Sequence, residues 1–183
     1  MVNTVRSAVN ANAMVGFAVS TATHAMLPVV SSATVAISGA TNISRIRSTL
    51  TGGDAEIFFN IEALDTIAAD VTAAQADMVV TTVGSFDVGD HVFIYDNTYT
   101  NKEYVTIKSI VTATSTITMT TNFVNNYTAV VGSTQLAIVP HANAFMSLKA
   151  GYNLNESGLD IENVYMRKLQ AANATLTGYA VVS

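Results

Sequence analysis

Apolar and polar residues alternate along most of this chain. Ala55, Ile57, Phe59 and Ile61 fall on one face and Glu56 and Asn60 on the other, the period of two that marks a strand. Val35 and Ile37 start a similar pattern, and Gly52-Gly53-Asp54 before the second run is a turn signal. Residues 29–61 therefore read as a pair of antiparallel strands. From Ala63 to Ala76 the chain is rich in Ala and is compatible with a short helix or a loop.

The alternation is most regular between residues 79 and 139. Val79, Thr81 and Val83 lead to Phe86 and Val88, Gly89-Asp90 forms a tight turn, and Val92 and Ile94 lead to a polar loop from Asp96 to Lys102. Tyr104 to Ile107, Thr116 to Met119 and Gln135 to Val139 follow, the last closed by Pro140. Short strands at this spacing, separated by turn residues, define a small barrel or sandwich. Thr at alternate positions gives β-propensity on a solvent face without charge. Further β segments are expected at Ala144 to Leu148, Ile161 to Lys168 and Ala174 to Val182. Ile43 and Ile46 before one strand and Ile161 and Val164 before another form an internal echo, which pairs the first and last segments in one sheet system.

The expected fold is therefore mainly β: a β-sandwich formed by the N- and C-terminal segments, an inserted small β-barrel, and an extended N-terminal arm. The boundaries are 1–28 for the arm, 29–76 with 141–183 for the sandwich, and 77–140 for the barrel. Small residues such as Ala8, Ala11, Gly16 and Ala18 let the arm lie flat on another surface, and a helix over Ala8 to Val19 is weakened by Asn10, Asn12 and Gly16. Arg6 ahead of the apolar AMVGFAV has the outline of a signal peptide, but the region is read as an ordered arm or first strand. Deleting residues 1–27 is expected to leave the β modules folded.

Charge changes the picture. Hydrophobic residues make up 50% of the 183-residue chain and charged ones 11%, less than half of the roughly 25% usual in soluble domains. An exterior so poor in ions lacks the repulsion that keeps proteins apart, which favours assembly. The net charge of −5 argues against nucleic acid, whose phosphates call for clustered Lys and Arg. The pairs Arg45 with Arg47 and Arg167 with Lys168 read as solvated structural charge. No run of about 20 apolar residues suggests a membrane span. With no cysteine there is neither a disulfide framework nor a thiolate site.

The arrangement F-x-V-G-D-x-V-x-I, a polar loop, E-Y-V-T-I-K-S-I, T-I-T-M-T and a final V-G-S-x-x-x-x-I-V, from Phe86 to Val139, resembles a β-barrel module of tailed-phage virion proteins. Proteins with such modules decorate capsids or build tails and fibres, so the resemblance implies a virion component assembled in the host cytoplasm.

Catalytic and metal chemistry find little footing. Asp87, Asp90, Asp96 and Glu103 lack the spacing of a calcium loop, and Asp after Gly in a turn commonly bonds local amides. His24, His91 and His141 share no metal-binding spacing. Glu56, Asp54, Glu62 and Asp65 could supply a glycosidase pair, but their pattern suits a solvated face. No Gly-x-Ser-x-Gly elbow occurs. Tyr95, Tyr99, Tyr104 and Tyr127 could stack on sugars or serve as strand-rim residues. No enzyme, cofactor or metal is expected. The expected function is capsid decoration or cement through protein–protein contacts, as a homotrimer against the major capsid protein or other virion proteins. The alternative is a receptor-binding or fibre module for a cell-surface glycan. Candidate partner-binding residues are Val15 and Phe17 on the arm and Tyr95, Tyr99 and Asn101 around the polar loop.

Overall fold

The computed structural model describes residues 13–21, 24–31, 42–98, 100–130, 134–141 and 145–182. Among them are fourteen strands, no α-helix and two single 3-10 turns. The strands are β1 (Ala13–Thr21), β2 (Leu27–Ser31), β3 (Ile43–Gly52), β4 (Ala55–Phe59), β5 (Ala63–Thr66), β6 (Asp77–Val79), β7 (His91–Asp96), β8 (Lys102–Val111), β9 (Thr116–Met119), β10 (Thr134–Val139), β11 (Phe145–Leu148), β12 (Asn153–Ile161), β13 (Asn163–Lys168) and β14 (Ala174–Val182). They form three antiparallel sheets: an outer one in the order β1-β14-β3-β12, a middle one β11-β4-β13-β2, and a curled one β5-β10-β7-β8-β9-β6. The protein is mainly β, with a sandwich built from both ends of the chain and a barrel-like module inserted between β4 and β11.

The two sandwich sheets match strand for strand. Each strand of the outer sheet has its chain neighbour at the same place in the middle sheet: β1 with β2, β14 with β13, β3 with β4, and β12 with β11. The sandwich is thus four arches stacked side by side. Gly52-Gly53-Asp54 does not close a hairpin, because β3 and β4 lie in different sheets. It carries the chain across the core, with Gly53 N donating to Asn173 O at 2.8 Å. Gly52 has φ +81°, and a Cβ there would lie 2.2 Å from Asn173 O, so the crossing admits only glycine.

Three apolar clusters follow from these layers. Ile46, Leu50, Ile57, Leu154, Met166, Leu176 and Ala180 fill the space between outer and middle sheets. Val92, Ile94, Val105, Ile107, Ile117 and Leu136 fill the concave side of the curled sheet. Phe58, Phe93, Tyr95, Ala137 and Val139 join the middle sheet to the convex side of the curled one. The middle sheet is covered on both faces, so β4 is buried at four successive positions, Ala55 to Phe58. Its period of two survives, but both sets of side chains are inside.

The curled sheet is a half-barrel whose edge strands approach each other at the bridge between Ile67 and Val80. Ala68 N donates to Val79 O at 2.8 Å and Thr81 N to Thr66 O at 3.0 Å. The Gly89-Asp90 turn behaves as its sequence implies: Asp87 N donates to Asp90 Oδ2 at 2.7 Å, and Gly89 N to Ile107 O at 2.9 Å. The Ala-rich segment after Ile61 starts as strand β5 and contains no helix. Val35 and Ile37 lie outside the described residues.

Residues 13–21 and 24–28 are part of the sandwich. β1 pairs with β14 along all of its length, from Ala13 opposite Val182 to Thr21 opposite Ala174. Thr21 is 0% exposed and Met26 4%, and Met26 N donates to the Tyr95 hydroxyl at 3.1 Å. This packing reverses the expectation for deleting residues 1–27. The deletion uncovers β14 and removes Met26 from the core, and the urea midpoint is expected to fall by the equivalent of roughly 3 kcal/mol or more. An unchanged midpoint would show that the first strand adds nothing to the core.

Candidate functional site

The densest chemistry in the protein sits in the seam between the middle and curled sheets. Alternation along β4 and β13 sends Ile57, Val164 and Met166 to the sandwich core and Glu56, Phe58, Tyr165 and Arg167 to the seam. Alternation along β7 sends Val92 and Ile94 into the half-barrel and Phe93 and Tyr95 to the same seam. Glu56 and Arg167 are cross-strand partners, both 0% exposed.

Arg167 Nε donates to Glu56 Oε2 at 2.7 Å, and Lys102 Nζ, reaching in from β8, binds Glu56 Oε1. The guanidinium carbon lies 4.5 Å from the centroid of the Tyr95 ring and 5.0 Å from that of Phe93. Nη1 and Nη2 hydrogen-bond to no group among the described residues, so the aromatic faces are what they meet. Phe93 lies 4.6 Å from Tyr104 and 5.0 Å from Phe58, centroid to centroid, and Phe145 stacks on Phe58 at 5.6 Å. One carboxylate, two cations and five rings thus share the interface, with Glu56 and Arg167 enclosed and Lys102 reaching in from its rim. Isolated burial of such charges would cost several kcal/mol each, and mutual pairing offsets that cost.

Glu56 therefore does not face solvent, and neither Arg167 nor Lys168 is solvated charge: Arg167 is 0% and Lys168 4% exposed. The half-barrel covers the face that carries Glu56 and Arg167, while Lys168 alternates with Val164 and Met166 on the sandwich face of β13 and donates to Ala171 O at 3.2 Å.

The other carboxylates hold turns in place. Asp54 accepts from Lys149 Nζ at 2.7 Å and Ala150 N at 3.0 Å; the Lys149 bond, then the backbone one, hold its carboxyl below the usual range. Asp65 accepts from Thr66 N and Thr82 N. Glu103 accepts from Val124 N, Asn125 N, Asn125 Nδ2 and the Tyr127 hydroxyl, which pins residues 123–127 over the half-barrel. His91 Nδ1 lies 3.1 Å from Thr106 Oγ1, and His24 meets the Tyr95 ring edge-on. No group of three His, Asp or Glu could hold a metal among the described residues.

The candidate partner-binding residues scatter. Val15 lies in β1 opposite Ala180, with its side chain outside the described residues. Phe17 is half-buried against the sandwich core. Tyr95 is 0% exposed and donates to Gln135 Oε1 at 2.6 Å, inside the seam. Tyr99 lies outside the described residues. Asn101 donates through Nδ2 to Asp96 Oδ2 at 2.9 Å, and Asp96 Oδ1 also accepts from Thr98 N and Oγ1, so the loop's polar groups bond one another. Among the described side chains, Phe17 packs on the sandwich, Tyr95 lies in the seam and Asn101 holds its own loop. Sequence reading missed the Glu56–Arg167 pair, whose one legible signal is opposite charge on segments from the two ends of the chain expected to share one sheet system.

A scan against protein-family models finds no match, and neither a search of curated proteins nor one of solved structures finds a similar protein.

Two outcomes follow from the seam. Glu56→Gln leaves a buried guanidinium without its carboxylate and is expected to lose roughly 3–5 kcal/mol of unfolding free energy, whereas Glu56→Gln with Arg167→Met recovers most of it. A denaturant double-mutant cycle measures both, and additive losses would mean that the two groups do not act as a pair. Burial is the first cause that raises the phenols of Tyr95, Tyr104 and Tyr127, with Glu56 adding to Tyr104 and Glu103 to Tyr127. In the unfolded chain phenols ionise near pH 10, so the unfolded state loses protons first and stability falls as pH rises above about 10. Phenolate absorbance of these three tyrosines should appear together with unfolding; early titration of all tyrosines with the fold intact would contradict it.

Proposed function

We propose that this protein is a structural component of a tailed-phage particle, a capsid decoration or cement protein that acts through contact area. The observation that carries the reading is the state of the sheet edges. Free edges are ordinarily blunted by Pro, charge, bulges or shortness. β2 carries Pro28 and faces a bulge in its pairing with β13, and β11 has four residues. β12 is bulged after Ser157 and carries Glu156 and Asp160. β5 and β6 meet each other through the Ile67–Val80 bridge. β1 has none of these devices: nine residues, AMVGFAVST, with no charge or Pro and in unbroken register with β14. Its outer row of amide and carbonyl groups pairs with no strand among the described residues, and main-chain strand addition is a common mode of attachment at such an edge.

The low charge and the Thr-rich strands support the same reading, and the pattern from Phe86 to Val139 points to a phage particle as its setting. The neighbours would be a second copy, in a homotrimer, and the major capsid protein. Binding of a glycan by the loop from Asp96 to Lys102 draws little support, because Asn101 and Asp96 bond each other.

A lysine on β1 tests the proposal. Ala18 is exposed and opposite Thr177, so Ala18→Lys should change stability by roughly 0.5 kcal/mol or less yet abolish self-association in sedimentation and incorporation into purified particles. A variant that associates and incorporates as the parent does would remove the support.

A further inference from the structure

The solvent face of the outer sheet holds a cleft of about 410 Å³, within the range of small-ligand sites. Register defines its walls. One row across the strands is Tyr179, Arg47 and Asn155, and a second, two residues away, is Thr177, Thr49 and Asn153. The row between, Gly178, Ser48 and Leu154, is the floor. A Cβ on Gly178 would lie 2.1 Å from Arg47 O, so the strands run close together here. From strand geometry the two rows are about 7 Å apart and each about 10 Å long, the footprint of one or two sugar rings.

The groups along these walls are mostly donors. Arg47 Nε donates to Asn155 Oδ1 at 3.1 Å, a bond that does not use its two NH₂ groups. Thr49 Oγ1 donates to Asn153 Oδ1 at 2.6 Å. Both Asn side chains thus engage their oxygens and present their NH₂ groups. Ser48 contributes backbone to the floor, and its side chain lies on the core face of β3 with Ile46 and Leu50.

The charge is local and unbalanced. In a protein of net charge −5, Arg45 and Arg47 project from this face and form no ion pair among the described residues. A guanidinium with a free fork matches a carboxylate. A phosphate ordinarily collects several cations, and here one Arg and no Lys line the cleft. Amide and hydroxyl groups on the other row suit sugar hydroxyls, which both donate and accept, and Tyr179 offers a ring beside them.

We propose that this cleft binds a carboxylated saccharide, with Arg47 on the carboxylate, Tyr179 against a ring and Asn155, Asn153, Thr177 and Thr49 on the hydroxyls. The proposal is independent of the virion reading, since it concerns a different face from the β1 edge groups.

An amide NMR titration of the full chain tests it with oligogalacturonate, a glucuronate oligosaccharide and a sialyl-lactose, against maltotriose and inorganic phosphate. At least one carboxylated saccharide should give saturable shifts at residues 47, 155 and 177–179, with neither control doing so at the same concentration. Arg47→Gln, at an exposed position, should weaken binding roughly tenfold or more while the rest of the spectrum is kept. Thr177→Val, on the other row, should weaken it severalfold. The proposal fails if no carboxylated member shifts these residues, if maltotriose or phosphate binds equally well, or if Arg47→Gln leaves affinity unchanged.

Discussion

The pairing of Glu56 with Arg167 is the interaction around which the three layers are arranged. Both residues sit on the face of the middle sheet that the half-barrel covers, and both are fully enclosed. Apolar contact alone would let two curved sheets slide, because dispersion has little directionality. Glu56 and Arg167 belong to one sheet; what crosses to the half-barrel is the Lys102 bond to Glu56 and the stacking of Arg167 on Phe93 and Tyr95, contacts whose geometry restrains the relative position of the layers. The rings follow from that: Arg167 has two NH₂ groups without hydrogen-bond partners, and only the π faces of Phe93 and Tyr95 make their burial tolerable. Charge and aromatic packing in the seam are one device, joining β4, β7, β8 and β13.

That device also explains where the pattern of the chain was legible. The half-barrel strands could be read directly from their period of two: β8 and β9 carry Thr or charge opposite their core face, whereas β7 and β10 are apolar on both faces because the seam covers the second one. β4 could be recognised as a strand, but not as one buried on both sides, because Glu56 looks like a solvent residue until a partner arrives from β13, 111 positions along the chain. Residues 153–160 give no strand signal because NLNESGLD holds no β-branched residue, and β12 forms as an edge by pairing with β3. Gly52-Gly53-Asp54 was visible as a turn. Whether such a turn closes a hairpin or crosses to another sheet depends on what pairs with the strands on either side, here β14 and β13, and local sequence does not hold that information.

The candidate residues show the same limit from the other side. Tyr95 and Asn101 were chosen for type, as an aromatic and an amide near a polar loop. Burial decided their roles: one closes the seam, and the other holds its own loop through Asp96. By contrast Arg47 drew attention only as part of a weak basic pair. Its surroundings come from register, which places Tyr179 and Asn155 on either side of it though they lie more than a hundred positions away in the chain.

The arrangement of arches gives the outer sheet its particular position. The middle sheet has no free face, and the curled sheet offers its convex side to the seam and its concave side to its own core. Among the described residues the solvent face of the outer sheet is left uncovered by the other two sheets, bounded on one side by β1 and on the other by the bulged β12. On this surface the short side chains Gly16, Ala18 and Ser20 near β1 give way to Thr, Arg, Asn and Tyr over β14, β3 and β12. A strand added at β1 would extend the sheet while leaving the Arg47 cleft open, because the cleft spans β14, β3 and β12 and β1 contributes nothing to its lining. Attachment through the edge and recognition through the face are therefore physically compatible in one molecule, and neither draws on the buried charges that hold the layers together.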